Sequence, residues 1–413
     1  MKKPTASIKK EFIWNIIGSI SYAASSFIYL LIVTRSVGAD DAGIFAIAFA
    51  NAQLMLTIGK YGMRTFQSTD LSGQYSFGTY LASRLFTCVA MILANCVYIA
   101  LNTFSPYKIQ IILWVCILKT LDAVEDVFHG LLQLNKRLDI AGKLQTIRNV
   151  FSMGLFLIAI LVTRQLLFSC ILTSILSFLV CLIINIPFVR QYKNIKLDFS
   201  FRPLKRLLID CFPLFAASFL SLYIYNSPKY AIDGYLTEEI QTYYGILFMP
   251  AFIINLFSEF AFKPLLVHMA DLWISNKTKE LMNSILKLLG WIALLTIAVL
   301  ISGYLFGIPV LSIIYGVDLS TYKKELMILL LGGGFGAAVW LINMLTTMRK
   351  QKGLLVGYLA IAALTSIVSP LWVQRKQVTG ASLSYLWSIG ILFLILLIML
   401  FYYIHESKVK ERR

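Results

Sequence analysis

Charge is what this sequence has least of. Only 14% of its 413 residues are Asp, Glu, Lys or Arg, 59% are hydrophobic, and the mean hydropathy is +0.78. A chain so poor in charge cannot cover a water-soluble globular domain, and that class is excluded at once. Histidine is scarcer still, at three, and no metal-ligand spacing is evident. The six cysteines, Cys88, Cys96, Cys116, Cys170, Cys181 and Cys211, include no Cys-x-x-Cys pair, which excludes a zinc or disulfide framework. Enzyme signatures are also missing. There is no Walker A sequence, no G-x-S-x-G elbow and no H-E-x-x-H pair, so nucleotide hydrolysis within the chain is excluded as a driving force. No gap between apolar stretches exceeds about 25 residues, leaving no room for a soluble catalytic domain. We expect no enzyme and no cofactor. The first apolar run is too long for a cleavable signal, and no A-x-A-like site follows it.

What is present is a series of long apolar stretches. A spanning helix needs about 20 apolar residues. Twelve are expected, near 12–34, 42–59, 80–101, 109–132, 149–163, 166–189, 207–227, 243–262, 284–307, 325–348, 353–372 and 381–404. The fifth and sixth are parted only by Thr163, Arg164 and Gln165. The basic residues arbitrate. With the N-terminus in the cytoplasm, the inside segments hold 27 Lys and Arg and the outside gaps hold 8. That ratio is a strong positive-inside signal, and it requires an even number of spans. The expectation is a multi-pass protein of a bacterial inner membrane with both termini cytoplasmic. The net charge of +17 is mostly this topology signal, spread over short loops. It argues against nucleic acid as a partner and for anionic lipid headgroups.

The basic segment 190–206 divides the chain into two expected lobes of six helices, 1–189 and 207–413. A short echo supports duplication. Gly43-Ile44-Phe45-Ala46-Ile47 and Gly245-Ile246-Leu247-Phe248-Met249 open equivalent spans, each after an acidic outside loop. Both halves start inside, so the repeats would be parallel. The stretch 264–283 places Leu265, Met269, Leu272 and Trp273 on one side of a helix, as an interfacial helix would. Gly332, Gly333, Gly334 and Gly336 fit either close helix packing or a bending point.

Charges inside spans cost roughly 2.5–3.5 kcal/mol each on insertion scales, so they face a partner or a cavity. The fourth span holds Lys119, Asp122, Glu125, Asp126 and His129, at steps that gather them on one helix face. Two readings are open. One is a polar face paired with Arg84 or loop cations. The other is a gate or an ion-coupling site that exchanges protons. A second set is cationic: Arg35, Arg64, Arg84 and Lys229, with Arg35 and Lys229 at equivalent points of the two halves. Snorkelling to the interface accounts for each singly. As a set they suit a cavity that holds a diphosphate.

Three passages carry a family likeness. They are Thr34-Arg35-Ser36-Val37-Gly38-Ala39-Asp40-Asp41-Ala42-Gly43-Ile44-Phe45; then Gly59-Lys60-Tyr61-Gly62-Met63-Arg64, with Gln67, Asp70, Tyr80 and Arg84 downstream; and Asn226-Ser227-Pro228-Lys229-Tyr230-Ala231-Ile232-Asp233, followed by Met249-Pro250-Ala251-Phe252. On these the chain resembles the Wzx-type polysaccharide flippases of the multidrug/oligosaccharidyl-lipid/polysaccharide (MOP) exporter superfamily. The resemblance implies an all-α integral membrane protein of about twelve helices in two six-helix lobes, like the multidrug (MATE) members of that superfamily. It implies alternating access, moving a lipid-linked oligosaccharide between leaflets for O-antigen, capsule or exopolysaccharide synthesis. Arg35, Arg64, Arg84 and Lys229 would hold the sugar-diphosphate head, and an H+ or Na+ gradient would drive the cycle. Other polysaccharide-assembly membrane proteins would be partners. A cation-coupled drug exporter of the same superfamily is the rival, although span one has no interior acid. A membrane-embedded polymerase or glycosyltransferase is the rival from another class.

Overall fold

The computed structural model describes residues 8–262, 277–347 and 351–411, together with 265, 269, 271, 272 and 275. Among these residues every long element is a helix. In chain order they are α1 (Ile8–Val37), α2 (Ala39–Lys60), the short α3 (Met63–Thr69), α4 (Phe77–Ala100), α5 (Pro106–Leu134), α6 (Leu138–Thr163), α7 (Leu166–Arg190), α8 (Phe201–Tyr235) and α9 (Glu238–Phe262). Then come α10 (Thr278–Ser302), a π-turn over Gly303–Gly307, α11 (Ile308–Tyr315), α12 (Lys323–Thr347) and α13 (Gln351–Glu411). The stretch expected to form an interfacial helix, 264–283, falls largely outside the described residues; α10 takes over from Thr278.

Among the described residues nine helical stretches are long and apolar enough to cross a membrane. One of them, Leu354–Tyr402, contains two expected spans. Its helix α13 bends at Gln377, where φ is 49° and ψ is −128°. The helices α5 and α9 are not among the nine, α5 because of its ionisable residues. The all-α multi-pass architecture of about twelve helices therefore holds. Spans five and six are separate helices, because Arg164 turns into the left-handed region at φ 53° and ends α6.

Local sequence explains the other ends. Ser76 caps α4 by accepting from the Thr79 N–H, and Ser105 caps α5 ahead of Pro106, whose ring suits the first helical turn. The second span breaks at Tyr61 and Gly62, with φ of 50° and 67°. Glycine takes that conformation without a Cβ penalty, and the chain restarts as α3.

The chain divides into two compact units, 1–219 and 220–413, with the boundary inside α8. In the first unit α5 is the hub, packed on α2, α3, α4, α6 and α7. In the second, α12 packs on α9, α10 and α13. The pairings recur: α2 with α4 and both with α5 in the first unit, α9 with α10 and both with α12 in the second. The glycine run of α12 serves close packing. A Cβ on Gly333 would stand 2.9 Å from the Ala251 backbone of α9, and one on Gly334 only 2.4 Å from Thr296 of α10.

Candidate functional site

Helix α5 brings its ionisable face to the centre of the first unit. Lys119, Asp122, Glu125, Asp126 and His129 are all more than nine-tenths buried. Burying charge at this depth is tolerated only when each charge meets a partner. The neighbouring helices supply the partners. From α4, Arg84 Nη2 sits 2.7 Å from Asp126 Oδ2. From α6, Arg148 donates Nε to Glu125 Oε2 at 2.8 Å and Nη2 to Asp122 Oδ1 at 2.5 Å. Within α5 itself Lys119 Nζ donates to Asp122 Oδ2 at 3.1 Å. From α7, Asn185 Nδ2 donates to Glu125 Oε1 at 3.3 Å. His129 Nε2 lies 3.8 Å from the same Glu125 oxygen and makes no hydrogen bond.

The network also holds the break in the second span. Arg84 donates to the Gly59 carbonyl, and Thr87 Oγ1 donates to the same oxygen at 2.8 Å. Carbonyls in the last turn of a helix lack intrahelical partners and attract cations, so Arg84 satisfies two needs at once. Gly59 has no room for a side chain, since a Cβ would stand 2.8 Å from Met91 Sδ. Beyond the break, α3 is fastened by Gln67, whose amide donates to the Val127 carbonyl at 2.9 Å.

The expected cationic set is distributed. Arg84 and Arg64 share Asp126, Arg64 at the longer distance of 3.8 Å, and Arg64 Nε donates to Gln133 Oε1 at 3.1 Å. Arg35 is exposed in the last turn of α1. It sits next to the start of α2, whereas Arg84 binds near its end, so the length of α2 separates them by about 30 Å. Lys229 belongs to the second unit. It is half-buried on α8, its Nζ 4.6 Å above the ring of Phe248. Among the described residues it makes no ion pair and no hydrogen bond. Phe248 in turn packs edge-on against Tyr385 at 5.0 Å.

Arg148 is the residue that sequence reasoning missed. It adjoins the expected fifth span and was counted with the inside cations that set topology. A signal was available: three carboxylates and one lysine in the fourth span leave a negative excess that another helix has to neutralise.

Outside the spans, two aspartates fix the loops at one end of the unit. Asp198, in the segment after α7, is hydrogen-bonded by Ser200, by Thr79 Oγ1 at 2.9 Å and by Ser76 Oγ at 3.1 Å. These bonds hold its carboxyl down at about 2. For Asp70 burial works the other way, but the Tyr75 and Gln74 N–H groups, with Ser72 and Tyr80, outweigh it and keep that carboxyl below its usual range. Tyr75 donates onward to Asp210 of α8 at 2.7 Å.

No known family's sequence model matches the chain, and no curated protein matches it. Solved structures do. A multidrug resistance MATE transporter of the MOP superfamily in its inward-facing conformation matches with a TM-score of 0.69 at 12% identity, over 95% of this chain and 99% of that one. A Vibrio cholerae MATE transporter in its bent form matches at 0.61 and 12%, over 97% and 98%. A MOP superfamily transporter from Pyrococcus furiosus matches at 0.58 and 13%, over 98% and 100%; for that protein, reverse polarity of the binding pocket is held to suggest a different function. The chain has the fold of these multi-pass membrane transporters.

Proposed function

We propose that this protein is a flippase that carries a polyprenyl-diphosphate-linked oligosaccharide from the cytoplasmic to the outer leaflet of a bacterial inner membrane by alternating access. The observation that carries the reading is the sign of the spare charge. In the first unit Asp122, Glu125 and Asp126 each face an arginine or a lysine. The interior of α1 has no acidic residue between Glu11 and Arg35. Lys229, by contrast, faces only an aromatic ring among the described residues. An uncompensated cation in a membrane helix marks a functional position and suits an anionic cargo. The Pyrococcus furiosus transporter is a precedent for a change of pocket polarity on this fold.

In this reading Lys229 takes a phosphate charge. Within the first unit Arg64, whose side chain is 32% exposed and whose ion pair to Asp126 is long, and Arg35, exposed at the opposite end of α2, are the further candidates for contact with the head. Arg84 braces the site through Asp126 and Gly59. The 27 to 8 distribution of basic residues supports an orientation with both termini in the cytoplasm. A cation-coupled exporter is the second reading, and one observation favours it. Glu325 of α12 is buried, accepts a hydrogen bond from Thr379, and has no hydrogen-bond partner for its Oε2 among the described residues.

The test places purified protein in liposomes that hold a polyprenyl-diphosphate oligosaccharide in one leaflet, and an impermeant glycosidase reports its appearance in the other. Protein-dependent appearance, lost in Lys229→Glu and weakened in Arg64→Glu, is expected. No movement of several such lipids, with or without an ion gradient, would transfer the weight to Glu325 and a small-molecule cargo.

A further inference from the structure

Lys119 is held differently from the arginines around it. The residue is 4% exposed, and its ammonium has one carboxylate partner, Asp122 Oδ2 at 3.1 Å. It also lies over two ring faces, Phe49 at 4.5 Å and Tyr22 at 5.0 Å. The far neighbour on Tyr22 is another cation, Lys60, 5.1 Å from that ring. One carboxylate and two aromatic faces are also the surroundings a free alkali cation would find there. Beside the ammonium lies a cavity of about 10 Å3, room for one water, lined by Ser25, Tyr29, Asp122, Arg148 and Asn149 among others. Asn149, one of the lining residues, donates its amide N–H to Ser21 at 3.1 Å.

Among the described residues, Lys119 and Arg148 are the lysine and arginine in ion-pair contact with the two carboxylates nearest this cavity. Asp122 and Glu125 are neutralised by Lys119 and Arg148, while Asp126 has Arg84. Without the ammonium, Asp122 and Glu125 would have Arg148 alone in arginine or lysine contact, since Arg64 and Arg84 both pair with Asp126. The space vacated would be faced by the hard oxygens of Asp122, Ser25 and Asn149, the donor type that alkali cations prefer. We infer that Lys119 is a tethered cation filling a monovalent-cation site between α1, α5 and α6, so that the first unit carries in covalent form a charge that an ion-coupled transporter loads from solution. Sodium and potassium therefore have no site in this unit, whatever the cargo.

The test uses the full chain in lipid nanodiscs and no cargo, so it stands apart from the flipping assay. Melting is followed in sodium, potassium and choline chloride at equal ionic strength. The wild type should melt at one temperature in all three salts. Lys119→Ala should melt lower in choline and recover by several degrees, saturably, in sodium or potassium. Lys119→Ala with Asp122→Asn should lose that recovery. The inference fails if Lys119→Ala shows no preference among the salts. It fails equally if the wild type binds radioactive sodium and Asp122→Asn abolishes the binding. That second arm decides even if the alanine variant does not fold, because absence of Asp122-dependent binding by the wild type supports the tethered cation. Lys119→Met, which keeps the stem packed, repeats the first arm.

Discussion

Arg148 is the residue on which the first unit depends most. Its removal leaves Glu125 buried without a cation and Asp122 with Lys119 alone. Breaking a buried pair from one side costs about 3–5 kcal/mol. Arg148→Met should therefore lower the melting temperature sharply in detergent, and adding Glu125→Gln should recover part of the loss. At the loop end, Asp198 predicts an acid dependence. Its folded value, about 2, lies below the ordinary 3.8, so its contribution is present above the ordinary value and is lost as pH falls through the folded one. Asp198→Asn should melt below the wild type at neutral pH, and the gap should close between pH about 4 and about 2. The two residues also differ in how far the sequence exposes them. The five ionisable positions of α5 stand out because their stretch is otherwise apolar. Arg148 sits beside a loop where positive charge is expected for topological reasons, so only the packing of α6 on α5 reveals its role. Lys229 was legible as a cation at the outer end of the seventh expected span, but its neighbour Phe248 belongs to another helix and could not be paired with it from sequence.

Helices were the most legible scale, because about 20 apolar residues in a row leave few alternatives. The breaks were not. Tyr61 and Gln377 both take positive φ, a local choice that hydropathy does not report. Gln377 joins two expected spans through a single bend and sits in a conformation that costs an ordinary residue about 1–3 kcal/mol. Gln377→Gly should hold or raise the melting temperature. The glycines of α12 predict the opposite. Gly333→Val drives a side chain into the Ala251 backbone and should cost about 1–3 kcal/mol, while Gly390→Ala, with nothing within 4 Å, should cost nothing measurable. Thermal unfolding followed by size-exclusion chromatography compares the two directly.

The two units repeat one pairing scheme around α5 and α12, yet build their hubs from different materials. One is cemented by ion pairs and the other by glycine contacts. Five residues of each half suggest a repeat, but this difference was not readable in sequence, because it rests on which side chains meet across helices. It has a consequence for the birth of the protein. Helix α5 carries Lys119, Asp122, Glu125 and Asp126 inside its expected span, and the arginine partner of Glu125 is synthesised 23 residues later. When α5 emerges, Arg84 has already been made, and Lys119 is on the helix itself; Arg148 is still in the ribosome. The translocon must therefore keep α5 waiting until α6 arrives, and the two should leave it as a hairpin. Nascent chains arrested before Arg148 emerges should keep α5 within crosslinking reach of the translocon, and chains extended through α6 should not.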